Sequence, residues 1–342
     1  MTQNNTLITL KKDIADKRLA PCYVFHGEES YLREYYTQQL IQCVYPTTED
    51  AADLCVLREK FKADDLLDAL ESVSMLSEYK LVIVKDVDIS KPDAKLKETI
   101  ESLSVPDGVT LLFVYDTLPF SPDKRTKCYK HIDKLAVFVE FDKQNEVDLI
   151  PWLKRRFRAL KKDISAEDAR YLLFVCGASM TNLIGEVVKI ASYASGDTVT
   201  RADIDAVASP VTETAVFAMT DELTAGRYDR ASARLNELLQ AKEEPVTLLA
   251  LMAKQLRGLY AAKLAMAEGQ SAQTVAAVMG YRSDYPARKL MDAARRLPLS
   301  WCREAVTLAC QTDRQLKTSA VSKEEALPFL LARLAMNAHA AR

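Results

Sequence analysis

A glycine turn directly after the first predicted strand has a position suited to phosphate binding. Gly27, Glu28, Glu29 and Ser30 follow the short apolar run at residues 22–25. A phosphate loop needs several glycines, which bring backbone N–H groups onto the phosphate oxygens, and a Gly-Lys pair that supplies a cation. This turn has one glycine and two carboxylates that would repel phosphate, and none of the nine glycines of the chain precedes a lysine. We therefore predict a degenerate phosphate loop that binds no nucleotide.

The other residues that could bind a metal or act in catalysis are isolated. Asp86 and Asp88 mimic a metal-binding acidic pair, but without a phosphate cradle we interpret them as solvated turn residues. The three histidines, His26, His131 and His339, lack metal-ligand spacing, and none of the seven cysteines forms a Cys-x-x-Cys pair. No Ser/His/Asp or Cys/His arrangement is evident. The sequence predicts no catalytic site, no metal site and no cofactor.

Two adjacent large apolar residues, Met75 and Leu76, could act as binding anchors. They lie between a predicted helix and the predicted buried strand at residues 81–84. Polar residues surround them, namely Ser74, Ser77, Glu78 and Lys80. One interpretation places both side chains in the core where the helix meets the strand. The other is a hydrophobic wedge that enters a pocket on a partner protein.

The helix that positions these two residues begins near Asp64, with aspartates in its first turns, where negative charge favours the helix dipole. Apolar residues recur along it at spacings of three and four, which predicts one face of an amphipathic helix. That predicted face consists of Leu66, Leu67, Leu70 and Val73.

Composition limits the classes of protein. The chain has 342 residues, which favours two or three domains, with 49% hydrophobic and 27% charged residues. Its net charge of -2 excludes a polycation, so any contact with nucleic acid must come from local patches. Scattered cysteines favour a reducing cytoplasm. The sequence predicts no signal peptide, and it has no apolar run approaching the ~20 residues that span a bilayer.

The first part of the chain, to about Asp142, alternates predicted strands and helices. The strands are predicted at residues 22–25, 54–57, 81–84, 110–115 and 136–141. Helices are predicted between them, and Ser30 is predicted to cap the helix at residues 31–43. This alternation predicts a mostly parallel sheet with helices on both faces.

From about Lys143 the strand pattern stops and the chain reads as helices, with Ser165 and Thr200 as predicted caps. One helix carries a basic face that includes Lys154, Arg155 and Arg158 and extends to Lys162. This face has two interpretations. It is either a solvated face that also covers apolar surface, or a weak phosphate contact to DNA.

The motifs, taken in order, resemble one family. The segments that carry the resemblance are residues 21–32, 74–84, 148–153, 182–190, 196–200, 245–259, 285–290 and 312–318. Together they resemble the delta subunit of bacterial DNA polymerase III, part of the loader that places the sliding clamp on DNA. Each motif alone is weak, but their order and spacing extend over nearly all 342 residues.

The resemblance implies three domains. Residues 1–142 would form a RecA-like, AAA+-type α/β domain without a functional P-loop, residues 143–210 a small helical lid, and residues 211–342 a helical collar. The fold class is thus α/β followed by all-α. The collar would join other subunits, and the helix predicted at residues 245–267 has more leucines than one helical stripe needs.

The implied function is mechanical. The chain would be a non-catalytic, cytoplasmic subunit that binds and opens the beta sliding clamp. Met75 and Leu76 would be its wedge, with Glu71, Val73 and Ser74 beside them. The implied partners are the tau/gamma ATPase subunits and the delta-prime subunit, in a hetero-pentamer that holds primer-template DNA.

The chain departs from the family pattern at two points of this wedge. The family often has two aromatics or Leu-Phe where this chain has Met75-Leu76, and a Gln found in some members appears here as Glu71. Three alternatives stay open. An active AAA+ ATPase would bind nucleotide, a helical nucleic-acid-binding protein would show salt-dependent DNA affinity, and a structural scaffold would keep Met75 and Leu76 in its core.

Overall fold

The computed structural model describes residues 3–47, 49–58, 61–73, 77–281, 283–318 and 322–340. The chain divides into two compact units, Met1–Gln144 and Asn145–Arg342. The first contains a parallel sheet with helices, and the second is mainly helical. The predicted fold class, an α/β domain followed by helices, is confirmed. The further division near residue 210 stays a prediction.

Within the described residues, five parallel strands of the first unit form one sheet in the order β2-β3-β4-β1-β5. The strands are β1 (Cys22–His26), β2 (Cys55–Leu57), β3 (Lys80–Lys85), β4 (Val109–Val114) and β5 (Ala136–Glu140). In β1, Cys22 is in register with Leu111 of β4 and with Ala136 of β5. Because all these strands run the same way, their carboxyl ends meet at one edge, where open α/β sheets bind ligands.

Helices cover both faces of this sheet, as predicted. They are α1 (Gln3–Asp16), α2 (Ser30–Val44), α3 (Ala63–Glu71), α4 (Ala94–Glu101) and α5 (Lys127–Leu135), with a short 3₁₀ helix at Asp50–Asp53. Tyr23 and Phe25 of β1 join the cluster that includes Leu40 of α2, whereas Val24 joins the cluster that includes Leu66 of α3. Burial on both faces explains the continuous apolar runs of the strands.

The start of α2 differs from the prediction. Ser30 is the first residue of the helix, and the preceding residue, Glu29, is its N-cap, whose carboxylate accepts a 3.3 Å hydrogen bond from the Tyr31 N–H. A carboxylate can accept this bond as a serine hydroxyl does, and its charge also favours the helix dipole. The prediction that Ser30 caps α2 is therefore wrong.

The second unit begins with α6 (Glu146–Ala159), α7 (Ala166–Cys176), α8 (Met180–Tyr193) and α9 (Arg201–Val207). The predicted caps are confirmed, since Ser165 accepts from the Asp168 N–H and Thr200 from the Asp203 N–H. The prediction that strands end near Lys143 is wrong. β6 (Asp163–Ile164) and β7 (Thr198–Val199) form a parallel pair. Two-residue strands are too short to show the alternation that marks a strand in a sequence.

The remaining helices are α10 (Thr212–Thr224), α11 (Tyr228–Gln240), α12 (Pro245–Ala267), α13 (Ala272–Met279), α14 (Tyr285–Ala294), α15 (Leu299–Lys317) and α16 (Lys323–Ala340). They share a core around α12, where Leu248, Leu249, Met252, Leu256 and Leu259 are buried. The many leucines of α12 are thus largely accounted for by packing within this chain. They do not by themselves indicate a contact with other subunits.

Candidate functional site

The predicted wedge lies in the segment that joins α3 to β3, residues 73–79, which we call the α3–β3 loop. Ser74, Met75 and Leu76 fall outside the described residues. The residue before them, Val73, is 88% exposed, and Glu71, the last residue of α3, is exposed as well. An apolar side chain this exposed contributes little to the chain's own core. Apolar surface is therefore open to a partner immediately before the predicted wedge.

α3 buries a narrower face than predicted. Leu66 and Leu70 are buried, whereas Leu67 is 38% exposed. The helix ends at Glu71 because the next residue, Ser72, has extended backbone with ψ 133°. Val73 therefore lies beyond the helix, and the prediction that it belongs to the same helix face as Leu66, Leu67 and Leu70 is wrong.

Three hydrogen bonds hold the two ends of the α3–β3 loop. At the first end, the Lys80 ammonium donates to the Ser72 carbonyl oxygen at 2.8 Å and to the Ser72 hydroxyl. At the second, the Ser77 hydroxyl donates to the Val44 carbonyl oxygen at 3.1 Å. The residues that flank Met75 and Leu76 in the sequence are thus tied to α2, α3 and β3.

The turn after β1 lies at the carboxyl edge of the sheet, the position of a phosphate loop. Gly27 has φ +118°, and a Cβ there would approach the Phe141 carbonyl oxygen to 2.4 Å. The Glu29 N–H donates to this same oxygen at 2.8 Å and is therefore already bonded. Burial raises the pKa of the Glu29 carboxyl. Glu28 is more exposed and pairs with Lys143 at 2.9 Å.

A network of charged side chains lies beside this turn. Arg33 of α2 is 4% exposed, and its Nη1 donates to the Gly27 carbonyl oxygen at 2.6 Å. Its Nε donates to Asp116 Oδ1 at 3.1 Å, and Lys85 Nζ donates to Asp116 Oδ2 at 2.7 Å. Burial raises the pKa of Asp116, but the hydrogen bonds from Lys85 and Arg33 outweigh it, so the pKa is lowered overall. The chain's own cations thus neutralise its carboxylate at this edge.

Asp86 is a structural residue and not the solvated turn residue that we expected. It follows β3 with φ 57°. Its Oδ1 accepts backbone N–H bonds from Asp116, Thr117 and Leu118, at 2.8 to 2.9 Å. Burial raises the pKa of Asp86, but these N–H bonds outweigh it and the pKa is lowered. Asp88 is half-buried and accepts from the N–H and hydroxyl of Ser90.

The basic face of α6 is partly occupied by contacts within the second unit. Arg158 lies 3.7 Å from Asp163, and both side chains are exposed. Lys162 Nζ donates to the carbonyl oxygens of Ala194 and Gly196, so it holds the end of α8. Lys154 and Arg155, by contrast, show no hydrogen bond or ion pair to other described residues.

Comparison with known families identifies the chain. The family model described as "DNA polymerase III, delta subunit" matches residues 23–142. The model described as "DNA polymerase III delta subunit, C-terminal domain" matches residues 213–334. The two segments together cover more than half of the sequence. The chain belongs to the DNA polymerase III delta-subunit family.

Relatives of the delta-subunit family extend this match over nearly the whole chain. DNA polymerase III subunit delta of Bacillus subtilis (strain 168) is 22% identical over 335 residues, which are 94% of this chain and 95% of that protein. The solved structure of the Bacillus subtilis DNA clamp loader delta protein superposes with a TM-score of 0.53 at 20% identity. It covers 96% of this chain and 99% of that one. This likeness establishes the fold.

The described residues of this delta-family chain contain no group of three or more His, Cys, Asp or Glu side chains that could hold a metal ion. Among the same residues, no single helix is long and apolar enough to cross a membrane. The helices Ala166–Cys176 and Met180–Tyr193, bent by 119°, pass the length and composition test only as a pair.

Sequence reasoning missed the role of three residues in this delta-family site. In the sequence Lys80 is only a polar neighbour of the predicted wedge, and nothing marks Arg33 and Asp116 as a pair. Arg33 and Asp116 are separated by 83 positions, so no local pattern joins them. Lys80 gave one hint, because it is a charge at the start of an apolar strand, where burial requires a partner.

Proposed function

We propose that this chain binds and opens the ring-shaped sliding clamp of a bacterial replicative DNA polymerase. The observation that supports the proposal most directly is the α3–β3 loop, which exposes Val73 and is held at both ends. The resemblance of residues 74–84 to the delta-subunit family supports a clamp-binding wedge in this segment. In this proposal Met75 and Leu76 are the wedge, and Glu71, Val73 and Ser74 complete the clamp-binding surface.

Opening requires that the wedge bind one clamp conformation better than the other. A ligand shifts a two-state equilibrium only by its difference in affinity for the two states. Shifting the ratio of open to closed clamp from 1:99 to 99:1 takes a difference in binding free energy of about 5.5 kcal/mol. Burying two large apolar side chains supplies about 3–6 kcal/mol. When only the open ring buries both side chains, the wedge supplies most of the required free energy without a chemical step.

The chain does not itself hydrolyse ATP in this proposal and is a non-catalytic subunit. Phosphate binding at the turn after β1 would need free N–H groups and an available cation. Here the Glu29 N–H is bonded to Phe141, and Arg33 is bonded to Gly27 and Asp116. A phosphate would also meet the carboxylates of Glu28 and Glu29, which repel it.

Membership of the delta-subunit family supports the proposed partners. The chain would assemble with the tau/gamma ATPase subunits and the delta-prime subunit into a cytoplasmic hetero-pentamer. ATP binding and hydrolysis by the neighbouring subunits would then control when the wedge reaches the beta sliding clamp. The helical C-terminal part would join this chain to those subunits.

Primer-template DNA would contact this chain only within the assembled loader. Lys154 and Arg155 are cations of the α6 face that no described residue engages. Arg158 contributes less, since it already pairs with Asp163. A few phosphate contacts of this kind position DNA without reading its sequence.

The test is a titration of the fluorescently labelled cognate sliding clamp with the full-length chain. The Met75→Ala, Leu76→Ala double variant should lose about 2–4 kcal/mol of binding, roughly a thirty- to thousand-fold rise in Kd. Its free energy of unfolding should stay close to wild type, because the side chains are buried only on binding. Val278→Ala is the control, because Val278 is 71% exposed but lies on α13 in the other unit.

Two results would refute the proposal. One is clamp binding by the double variant at wild-type strength. The other is a loss of about 2–5 kcal/mol of stability per truncated side chain, which would place Met75 and Leu76 in the core. Micromolar ATP binding by the isolated chain would favour the active AAA+ ATPase instead. Tight, salt-dependent DNA binding by the isolated chain would favour the helical nucleic-acid-binding protein.

A further inference from the structure

We infer that Lys80 is a positioning residue that fixes Ser72, from which the chain leaves α3 toward the proposed wedge. This inference rests on the function proposed above and deepens it. Lys80 contributes no wedge surface itself. It acts through Ser72, the residue at which the chain leaves α3.

Lys80 is unusual in being a buried lysine. It is 7% exposed, and lysine is rarely buried unless its ammonium is paired. Its backbone N–H donates to the Gly108 carbonyl oxygen at 2.8 Å, and in the sheet it is in register with Val109 of β4. The backbone of Lys80 is therefore fixed by the sheet, and its side chain reaches back to Ser72 at the other end of the loop.

Lysine suits this position for a chemical reason. The last carbonyl groups of a helix have no N–H partner within the helix and carry partial negative charge. Ser72 is the C-cap of α3, and Lys80 Nζ donates to its carbonyl oxygen at 2.8 Å. The same ammonium also donates to the Ser72 hydroxyl, which uses a second of its three donors. A methionine of similar length would fill the space but make neither bond.

A second contact fixes the other side of the wedge. The Ser77 hydroxyl donates to the Val44 carbonyl oxygen at the end of α2. Met75 and Leu76 therefore lie between two fixed residues, Ser72 and Ser77. A short segment between fixed ends has fewer conformations to lose when it binds, and such ordering in advance raises affinity.

The positioning role can be separated from a contribution to stability. Ser72 is exposed, so water can bond its oxygens when the lysine is replaced. Replacing Lys80 by methionine also removes a buried charge and keeps most of the apolar stem. The free energy of unfolding should thus change little, while the loop gains freedom and clamp affinity falls.

The experiment measures clamp binding by the full-length Lys80→Met and Lys80→Arg variants. We expect Lys80→Met to raise the Kd for the sliding clamp about tenfold. Amide hydrogen exchange should become faster in residues 73–79 but not in β4, and the urea midpoint should stay near wild type. Lys80→Arg, which keeps a cationic donor, should recover most of the affinity. Lys85→Met is the matched control, since Lys85 lies at the far end of β3 and pairs with Asp116; it should bind the clamp like wild type.

The failure of this inference differs from the failure of the proposed function. One outcome overturns the positioning role alone. In it, the Lys80→Met variant binds the clamp like wild type, while the Met75→Ala, Leu76→Ala double variant does not bind it. A double variant that binds like wild type overturns the function on which the inference rests. Should Lys80→Met fold poorly, Lys80→Leu removes both bonds to Ser72 with another apolar side chain. Unchanged clamp affinity and unchanged loop exchange in Lys80→Leu would also overturn the inference.

Discussion

The Nη1 of Arg33 lies 2.6 Å from the carbonyl oxygen of Gly27, so a cation of α2 is bonded to the turn that opens the same helix. In a nucleotide-binding protein the backbone of this turn would face phosphate. Here its carbonyl oxygen faces a guanidinium, and Asp116 balances the charge. The edge of the sheet is thus stabilised by internal ion pairs without a ligand.

Arg33→Ala tests this arrangement. The substitution removes a buried cation and leaves the Gly27 oxygen unpaired, although Asp116 keeps Lys85. We expect the free energy of unfolding in urea to fall by about 2–4 kcal/mol. Neither the variant nor wild type should bind labelled ATP with magnesium in equilibrium dialysis. Arg125→Ala is the control, because that side chain is 90% exposed and its pair with Asp123 should not affect stability measurably. Micromolar ATP binding by either protein would contradict the prediction.

Asp86 and Asp116 should make the stability of the protein sensitive to acid. The folded-state pKa of each carboxyl is lowered. The contribution of these two carboxylates to the free energy of unfolding is therefore fully present above their unfolded-state pKa of about 3.9. It is lost as the pH falls through their lower folded-state pKa values. We expect the free energy of unfolding to drop below about pH 4. The check is a series of urea titrations between neutral and acidic pH.

Asp86→Asn isolates one of these two groups. Asparagine tolerates the positive φ of this position and can still accept N–H bonds, but without charge. We expect the variant to be about 1 kcal/mol less stable at neutral pH and to lose less stability on acidification than wild type. If the variant lost as much stability on acidification as wild type, Asp86 would not be the ionised acceptor of its three N–H bonds.

Two glycines should respond to alanine in opposite directions. Gly27→Ala places a Cβ 2.4 Å from the Phe141 carbonyl oxygen at φ +118°, and we expect a loss of about 3 kcal/mol or more. Gly185→Ala, in the middle of α8, meets no atom within 4 Å and should gain about 0.5–1 kcal/mol. Thermal unfolding of both variants is the measurement. A Gly27→Ala protein as stable as wild type would contradict the close approach of this turn to Phe141.

The fragment 1–144 should fold alone and bind the clamp without assembling into the loader. The chain divides after Gln144, so this cut follows a boundary between compact units. A cut near residue 209 would instead separate Phe174 from Phe217, whose rings lie 5.3 Å apart within the second unit. We expect the fragment to bind the clamp with a Kd within about threefold of the full-length value. It should not co-elute with the other loader subunits in size-exclusion chromatography, and fragment 1–209 is the comparison. A fragment 1–144 that is unfolded by circular dichroism would contradict the prediction.

The order of helices and strands could be predicted because it depends on local patterns. Alternating strands and helices predicted the parallel sheet, and the residues before α7 and α9 predicted their caps. The contacts that shape the candidate site could not be found in this way. Lys80 to Ser72 and Arg33 to Asp116 are tertiary contacts, and each depends on where two elements meet. The narrow buried face of α3 also depends on its neighbours, because the spacing of Leu66, Leu67 and Leu70 alone does not show which of them the sheet covers.

The pairing of β6 with β7 affects how part of the second unit unfolds locally. Asp163 and Ile164 pair with Thr198 and Val199, and Lys162 holds the carbonyl oxygens of Ala194 and Gly196. The two ends of the segment that contains α7 and α8 are thus joined to each other. Such a segment cannot unravel from one end while the other stays in place. Its amides should become accessible to solvent together, as one cooperative unit of local unfolding.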